Sequence, residues 1–146
     1  DIKKASTNPE VLRLIAKLMA AELEKLEYRP DRIAGVVLGS VPLAAALALE
    51  TGIPYVMIRK EKKDHGTGSL IEGDIAEGDK VVVTEDVITT AGSSITAIKV
   101  LREAGAEVTD IISVIDRQGG GLENLKAEGV SLHSLVKASE LLEDRD

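Results

Sequence analysis

Apolar residues recur along the chain in two alternating patterns. Val11, Leu12, Ile15, Leu18, Met19 and Leu23 fall at helical spacing. Asn8-Pro9 ahead of them reads as a cap with proline at the first helical position, and Tyr28-Arg29-Pro30 reads as the stop. Ile33 to Leu38 is then a continuous apolar run, as expected of a strand buried on both faces. Gly39-Ser40 interrupts it, and an Ala/Leu-rich helix from Pro42 to Glu50 follows, ended by Thr51-Gly52. The alternation continues with a strand over Tyr55 to Ile58, a polar loop over Arg59 to Ser69, a turn over Asp74 to Asp79 and a strand over Lys80 to Thr84. A helix from Gly92 to Ala104 is closed by Gly105, and a strand from Val108 to Ile115 leads into a loop over Asp116 to Gly121. A short helix to Glu128, a strand from Val130 to Val136 and a C-terminal helix complete the pattern.

Strands alternating with helices build right-handed βαβ units around a parallel sheet. The pattern predicts one α/β domain over residues 1–146, an open, mostly parallel sheet flanked by helices, with no internal repeat and no linker. In such sheets ligands bind beyond the carboxyl ends of the strands. Gly39-Ser40, Arg59 to Ser69, Thr84 to Ser94 and Asp116 to Gly121 all follow strands, so all four are expected on one edge.

Composition narrows the function classes. The 146 residues suffice for a sizeable core, yet they include no Phe, no Trp and only two Tyr, so Val, Ile, Leu and Ala must fill the interior. Aromatic platforms for stacking bases are nearly absent, which argues against single-stranded nucleic acid as a partner. A net charge of −7 weakens binding to nucleic acid or an anionic membrane, and an anionic small molecule would need locally concentrated cations. Without cysteine there are no disulfides or thiolate metal sites, and the two His are too far apart in sequence to suggest zinc. No apolar run reaches bilayer length and no signal peptide is visible, so a cytoplasmic location is expected. The chain opens at Asp1, without Met, inside what reads as a structured segment, and is expected to be a fragment or trimmed form.

The most specific pattern is Val81 to Ser94, Val-Val-Val-Thr-Glu-Asp-Val-Ile-Thr-Thr-Ala-Gly-Ser-Ser. A buried strand ends in two adjacent carboxylates, and a loop of hydroxyl and small residues enters a helix. Backbone N–H groups, hydroxyls and the helix N-terminus together make an anion site, with Thr89, Thr90, Gly92 and Ser93 placed to hold a phosphate monoester. The loop lacks the Gly-Lys-Ser/Thr end of a Walker A motif. Glu85 and Asp86 beside an anion site make sense if the ligand carries a sugar between phosphates. Carboxylates accept hydrogen bonds from ribose hydroxyls, hold hydrated Mg²⁺ and stabilise positive charge developing on the ring. On composition alone, a capping loop with two solvated acids accounts for the same residues equally well.

Arg59-Lys60-Glu61-Lys62-Lys63 sets four cations in five positions of an acidic protein, and Asp64-His65-Gly66-Thr67-Gly68 follows. Cations on a glycine-containing loop suit a lid over a diphosphate, although such runs are more often solvated surface. His133, inside a strand, reads as incidental. Gly39-Ser40 is a tight strand-to-helix turn of a kind many βα units share. Arg117, in Asp116-Arg117-Gln118-Gly119-Gly120, suits bidentate bonding to a planar acid and equally suits a solvated turn.

Taken together in order and spacing, these segments resemble the type I phosphoribosyltransferases over essentially the whole chain. Glu85, Asp86, Thr89, Thr90, Gly92 and Ser93 match that family's phosphoribosyl diphosphate signature. Ala91 stands where the family usually has Gly, which sets an extra methyl against the 5′-phosphate or against a φ > 0 conformation. The Arg-Lys-x-x-Lys-Asp-His-Gly run resembles the catalytic loop of orotate phosphoribosyltransferases more than that of the purine enzymes. The resemblance implies that Lys63 and His65 contact diphosphate, that Arg59 and Lys60 hold its oxygens, and that the Gly39-Ser40 turn faces the leaving group. It further implies that Arg117 reads the base, that Glu85 and Asp86 hold Mg²⁺ through water, and that the cationic loop reaches into a partner's site in a homodimer. Ser40 is expected to strain a turn that prefers Gly. The family's N-terminal hood, which supplies a Lys and aromatic contacts to the base, has no counterpart ahead of Asp1, so weakened orotate binding is expected.

The implied activity is transfer of a phosphoribosyl group from 5-phosphoribosyl 1-diphosphate to orotate, giving orotidine 5′-monophosphate and diphosphate, a step of pyrimidine nucleotide biosynthesis. It needs no side-chain nucleophile, so Ser93 and Ser94 are expected to be anchors and helix caps. Two other readings stand beside it. The replaced glycines and aromatic-poor core suit a non-catalytic, engineered or simplified phosphate-binding scaffold of this fold, and the same machinery suits a purine phosphoribosyltransferase.

Overall fold

A computed structural model describes residues 2–61 and 69–143. In chain order the elements are α1 (Ile2–Ser6), α2 (Pro9–Glu24), β1 (Arg32–Val36), α3 (Val41–Thr51), β2 (Tyr55–Ile58), β3 (Ile71–Glu72) and β4 (Lys80–Ile88). They continue with α4 (Gly92–Glu103), β5 (Glu107–Asp116), α5 (Gly121–Ala127), β6 (Ser131–Lys137) and α6 (Ala138–Glu143). The strands form one sheet in the order β3-β2-β1-β4-β5-β6, parallel throughout except where β3 runs against β2. The alternation of apolar runs thus builds the expected α/β architecture.

Both faces of the sheet are covered because successive strand residues point to opposite sides. Val81, Val83 and Ile111 pack in one layer with Ile98 and Leu101 of α4 and Leu125 of α5. Ile33, Val82 and Ile112 pack in the other with Met19 and Leu23 of α2 and Leu43 and Leu47 of α3. β-Branched and leucine side chains fill both layers without aromatic help, each worth about 1.5–3 kcal/mol when fully buried.

Element ends depart from the periodic expectation where a side chain intervenes. α2 starts as predicted, with Asn8 Oδ1 accepting from the N–H groups of Glu10 and Val11 at 3.0 and 3.2 Å. It stops at Glu24, short of Tyr28, and the Tyr28 hydroxyl donates to Asp110 Oδ2 at 2.7 Å on the sheet. β1 stops at Val36 rather than Leu38 because Ser40 folds back onto it. The Ser40 hydroxyl accepts from the Val36 N–H at 2.6 Å and donates to the Val36 carbonyl at 2.9 Å. β4 passes Thr84 and reaches Ile88, held by pairing with β5 as far as Asp116. Glu85 and Asp86 therefore stand within a strand rather than beyond its end. α1 and β3, five and two residues long, are too short to leave a periodic signal.

His133 is not incidental to the fold. It sits 2.7 Å from Asp110 Oδ1, and Asp110 also accepts from Tyr28 and from Thr109 Oγ1. Burial alone would raise the Asp110 carboxyl, but the bonds from His133, Tyr28 and Thr109 outweigh it and hold the group below its usual range. Burial pushes the Tyr28 hydroxyl up to about 12, against the Thr109 bond and with the Asp110 charge. This cluster lies toward the amino ends of β5 and β6, away from the candidate site.

Candidate active site

The carboxyl ends of β1 and β4 open onto a cavity of about 460 Å³ lined by Gly39, Lys60, Glu85, Asp86 and the run from Thr89 to Ser94. Strand alternation sends the two acids different ways. Glu85 follows Val81 and Val83 toward α4, where it is 8% exposed and Ser94 Oγ donates to its Oε2 at 2.9 Å. Burial pushes the Glu85 carboxyl up to about 7, opposed by the Ser94 bond and reinforced by the neighbouring Asp86 carboxylate. Asp86 lies toward the Gly39 turn, and its Oδ1 accepts from the Val87 N–H at 2.8 Å. A β-carbon on Gly39 would come within 2.7 Å of Asp86 Oδ2, so a side chain there would displace the Asp86 carboxylate.

The phosphate-type loop joins β4 to α4 and leans on the segment after β5. The Arg117 N–H donates to Ile88 O and the Gly121 N–H to Thr89 O, both at 2.9 Å. Gly119 and Gly121 permit that approach, since a β-carbon on Gly119 would lie 2.8 Å from Thr89 Cγ2 and one on Gly121 would run into Ile88 Cγ2. Ala91 precedes α4 in the left-handed region at φ 72, the conformation that disfavours a side chain. Its methyl packs in the α4-side core, and the residue also lines the cavity.

Gly39, Lys60, Glu85, Asp86, Thr89, Thr90, Ala91, Gly92 and Ser93 thus come together as expected by sequence. Ser40 does not join them. It is fully buried at φ −94, an unstrained conformation, with its hydroxyl committed to Val36 and its N–H donating to Val36 O at 3.3 Å. Arg59 turns toward β3, with Nη1 3.3 Å from Glu72 Oε1. Arg117 is exposed beside the cavity rather than in its wall. Neither Ser93 nor Ser94 caps α4 through its side chain. Lys63 and His65 lie outside the described residues. Sequence reasoning missed the Ser94–Glu85 bond and Asn124, whose Nδ2 donates to Thr90 O at 2.9 Å. No local motif points to either.

Among the described residues no group of three or more His, Cys, Asp or Glu is placed to hold a metal ion. Glu85 and Asp86 supply only oxygen donors. That set suits Mg²⁺ kept hydrated and shared with substrate oxygens, and does not suit an all-protein cage. No helix among the described residues is long and apolar enough to cross a membrane.

Comparison with known proteins gives one answer. The model of the phosphoribosyl transferase domain family matches residues 2–140. The orotate phosphoribosyltransferase of Pyrococcus abyssi is 53% identical over 143 residues, which cover 98% of this chain and 79% of that protein. The structure of orotate phosphoribosyltransferase from Aeropyrum pernix superposes with a TM-score of 0.86 at 34% identity, covering 99% of this chain and 81% of that one. That of the Mycobacterium tuberculosis H37Rv enzyme in complex with 5-phospho-α-D-ribosyl 1-diphosphate superposes with a TM-score of 0.82 at 30% identity, covering 97% and 82%. A strand carrying paired acids into a Thr-Thr-Ala-Gly-Ser loop is therefore no isolated coincidence: the chain belongs to the phosphoribosyltransferase family, with the orotate phosphoribosyltransferases as its close relatives.

Proposed function

We propose that this chain transfers the phosphoribosyl group of 5-phosphoribosyl 1-diphosphate to N1 of orotate. The observation that carries the reading is the shared cavity, in which Glu85 and Asp86 stand beside the loop from Thr89 to Ser93. The loop's N–H groups and the start of α4 hold the 5′-phosphate. The acids accept from the ribose hydroxyls and face the ring as C1′ becomes cationic, with bond breaking to diphosphate running ahead of bond making to the base. Mg²⁺, when bound, neutralises diphosphate charge, and Glu85 and Asp86 would hold it through water. Gly39 and Lys60 face the departing group from the cavity wall, and Lys63 and His65 are assigned to it by family resemblance. Arg117, at the rim, reads the carboxylate of the acceptor. The same resemblance supports a homodimer whose cationic loops complete each other's sites.

The test is turnover with the diphosphate sugar, Mg²⁺ and orotate, following orotate loss and diphosphate release, with adenine and hypoxanthine in parallel. Orotate consumption that is lost in the Glu85→Gln, Asp86→Asn double variant, with the fold intact, supports the reading. Consumption of a purine alone would reassign the acceptor, and sugar binding without turnover would favour the scaffold.

A further inference from the structure

A loop that grips an anion with its N–H groups must keep its carbonyl oxygens off that anion. From Ile88 to Ala91 each carbonyl is engaged by a group that does not line the cavity. Ile88 O accepts from the Arg117 N–H, Thr89 O from the Gly121 N–H and Ala91 O from the Ile95 N–H, each at 2.9 Å. Thr90 differs from these three, because its carbonyl is held by a side chain, Asn124 Nδ2 of α5, at 2.9 Å. The main chain of α5 does not substitute, since the Asn124 N–H is spent on Gly120 O at 3.0 Å.

The bond matters because of which peptide it holds. In a trans peptide the carbonyl and N–H point in opposite directions. Fixing Thr90 O toward α5 therefore aims the Ala91 N–H the other way, toward the cavity. Among the described residues the N–H groups of Thr90, Ala91, Gly92 and Ser93 donate to no protein acceptor. The peptide ahead of Ala91 is also the one most open to reversal, because Ala91 sits at φ 72 with a β-carbon that disfavours the left-handed region. Reversal would turn the Thr90 carbonyl into the anion's place.

We propose that Asn124 is a positioning residue for the phosphate loop, holding the Thr90 carbonyl outward so that the Ala91 N–H faces the 5′-phosphate of the sugar substrate. The inference rests on the reading of Thr89–Ser93 as the 5′-phosphate site. Asn124 is exposed and is not in the core, so its substitution leaves the fold in place.

Asn124→Leu removes the donor without adding charge, and Asn124→Asp keeps the shape but cannot donate. Ribose 5-phosphate affinity is measured by calorimetry, with kcat, KM for the diphosphate sugar, KM for orotate and Tm measured alongside. In both variants the ribose 5-phosphate Kd and the sugar KM are expected to rise about tenfold, the scale of one hydrogen bond. Orotate KM and Tm stay near wild type. Wild-type sugar affinity in Asn124→Leu, a loss confined to Asn124→Asp, or a fall in Tm without a selective change in sugar KM would each overturn the inference. If the unaltered protein itself neither binds ribose 5-phosphate nor turns over, the reading of the loop falls and this inference with it.

Discussion

Ser94 and Glu85 meet across the floor of the cavity, hydroxyl to carboxylate at 2.9 Å, and both are buried. The bond ties the first turn of α4 to β4, so the helix that the phosphate loop enters and the strand that carries the acids are set relative to each other. Ser94→Ala removes the side-chain hydroxyl that donates to Glu85. Above pH 7 it is expected to cost about 1–3 kcal/mol of stability, read from urea midpoints, because the partner is then ionised. Below that pH the cost shrinks as Glu85 takes up its proton.

Glu85 also makes stability depend on pH. Its carboxyl is raised from 4.5 to about 7 in the folded protein, so the folded state holds the proton more tightly than the unfolded chain. Stability is full below the ordinary glutamate range and declines as pH rises toward 7, by up to about 3 kcal/mol. Glu85→Gln abolishes that decline. Urea unfolding at a series of pH values measures both proteins, and parallel curves would show that Glu85 is not the group responsible.

Asp110 has the opposite sign. Held below its usual range by His133, Tyr28 and Thr109, it contributes stability above the ordinary carboxyl range that is lost as pH falls through its depressed value. Asp110→Asn is expected to destabilise the protein at pH 7 by about 1–3 kcal/mol and to converge on the parent in acid. Ribose 5-phosphate affinity is unchanged, because the cluster lies toward the other end of the strands. Calorimetric titration of the variant checks that separation.

At Ala91 two effects nearly cancel. The left-handed conformation costs about 1–2 kcal/mol for a residue with a β-carbon. Replacing it by Gly loses about 0.8 kcal/mol of methyl burial and about 0.4–1 kcal/mol through the more flexible unfolded chain. Ala91→Gly is therefore expected to change stability by less than about 1 kcal/mol. Gly121→Ala, by contrast, drives a methyl against Ile88 and Thr89 and is expected to cost about 1–3 kcal/mol or more. Denaturant midpoints of the two variants compare them directly.

The sheet is legible from sequence because periodicity reports which faces are buried: β1, β2, β4 and β5 each contain a run of apolar residues, and the partly buried β6 mixes apolar with polar positions. The acids and the Thr89–Ser93 loop were legible because they are contiguous. What sequence did not disclose depends on how elements meet in space. By sequence Ser40 reads as a strained turn residue, whereas its hydroxyl bonds Val36, and Ser94 reads as a cap, whereas its hydroxyl bonds Glu85. Asn124 reaches Thr90 across a separation of 34 residues, and only the packing of α5 on the loop brings them together.

The central claim is that the loop from Thr89 to Ser93 grips the 5′-phosphate while Glu85 and Asp86 face the ribose. A crystal structure of the protein with the diphosphate sugar and Mg²⁺ tests it directly. The 5′-phosphate is expected within hydrogen-bonding distance of the N–H groups of Ala91, Gly92 and Ser93, with the ribose hydroxyls against the two acids. Sugar bound elsewhere, or those acids turned from the ring, would contradict it.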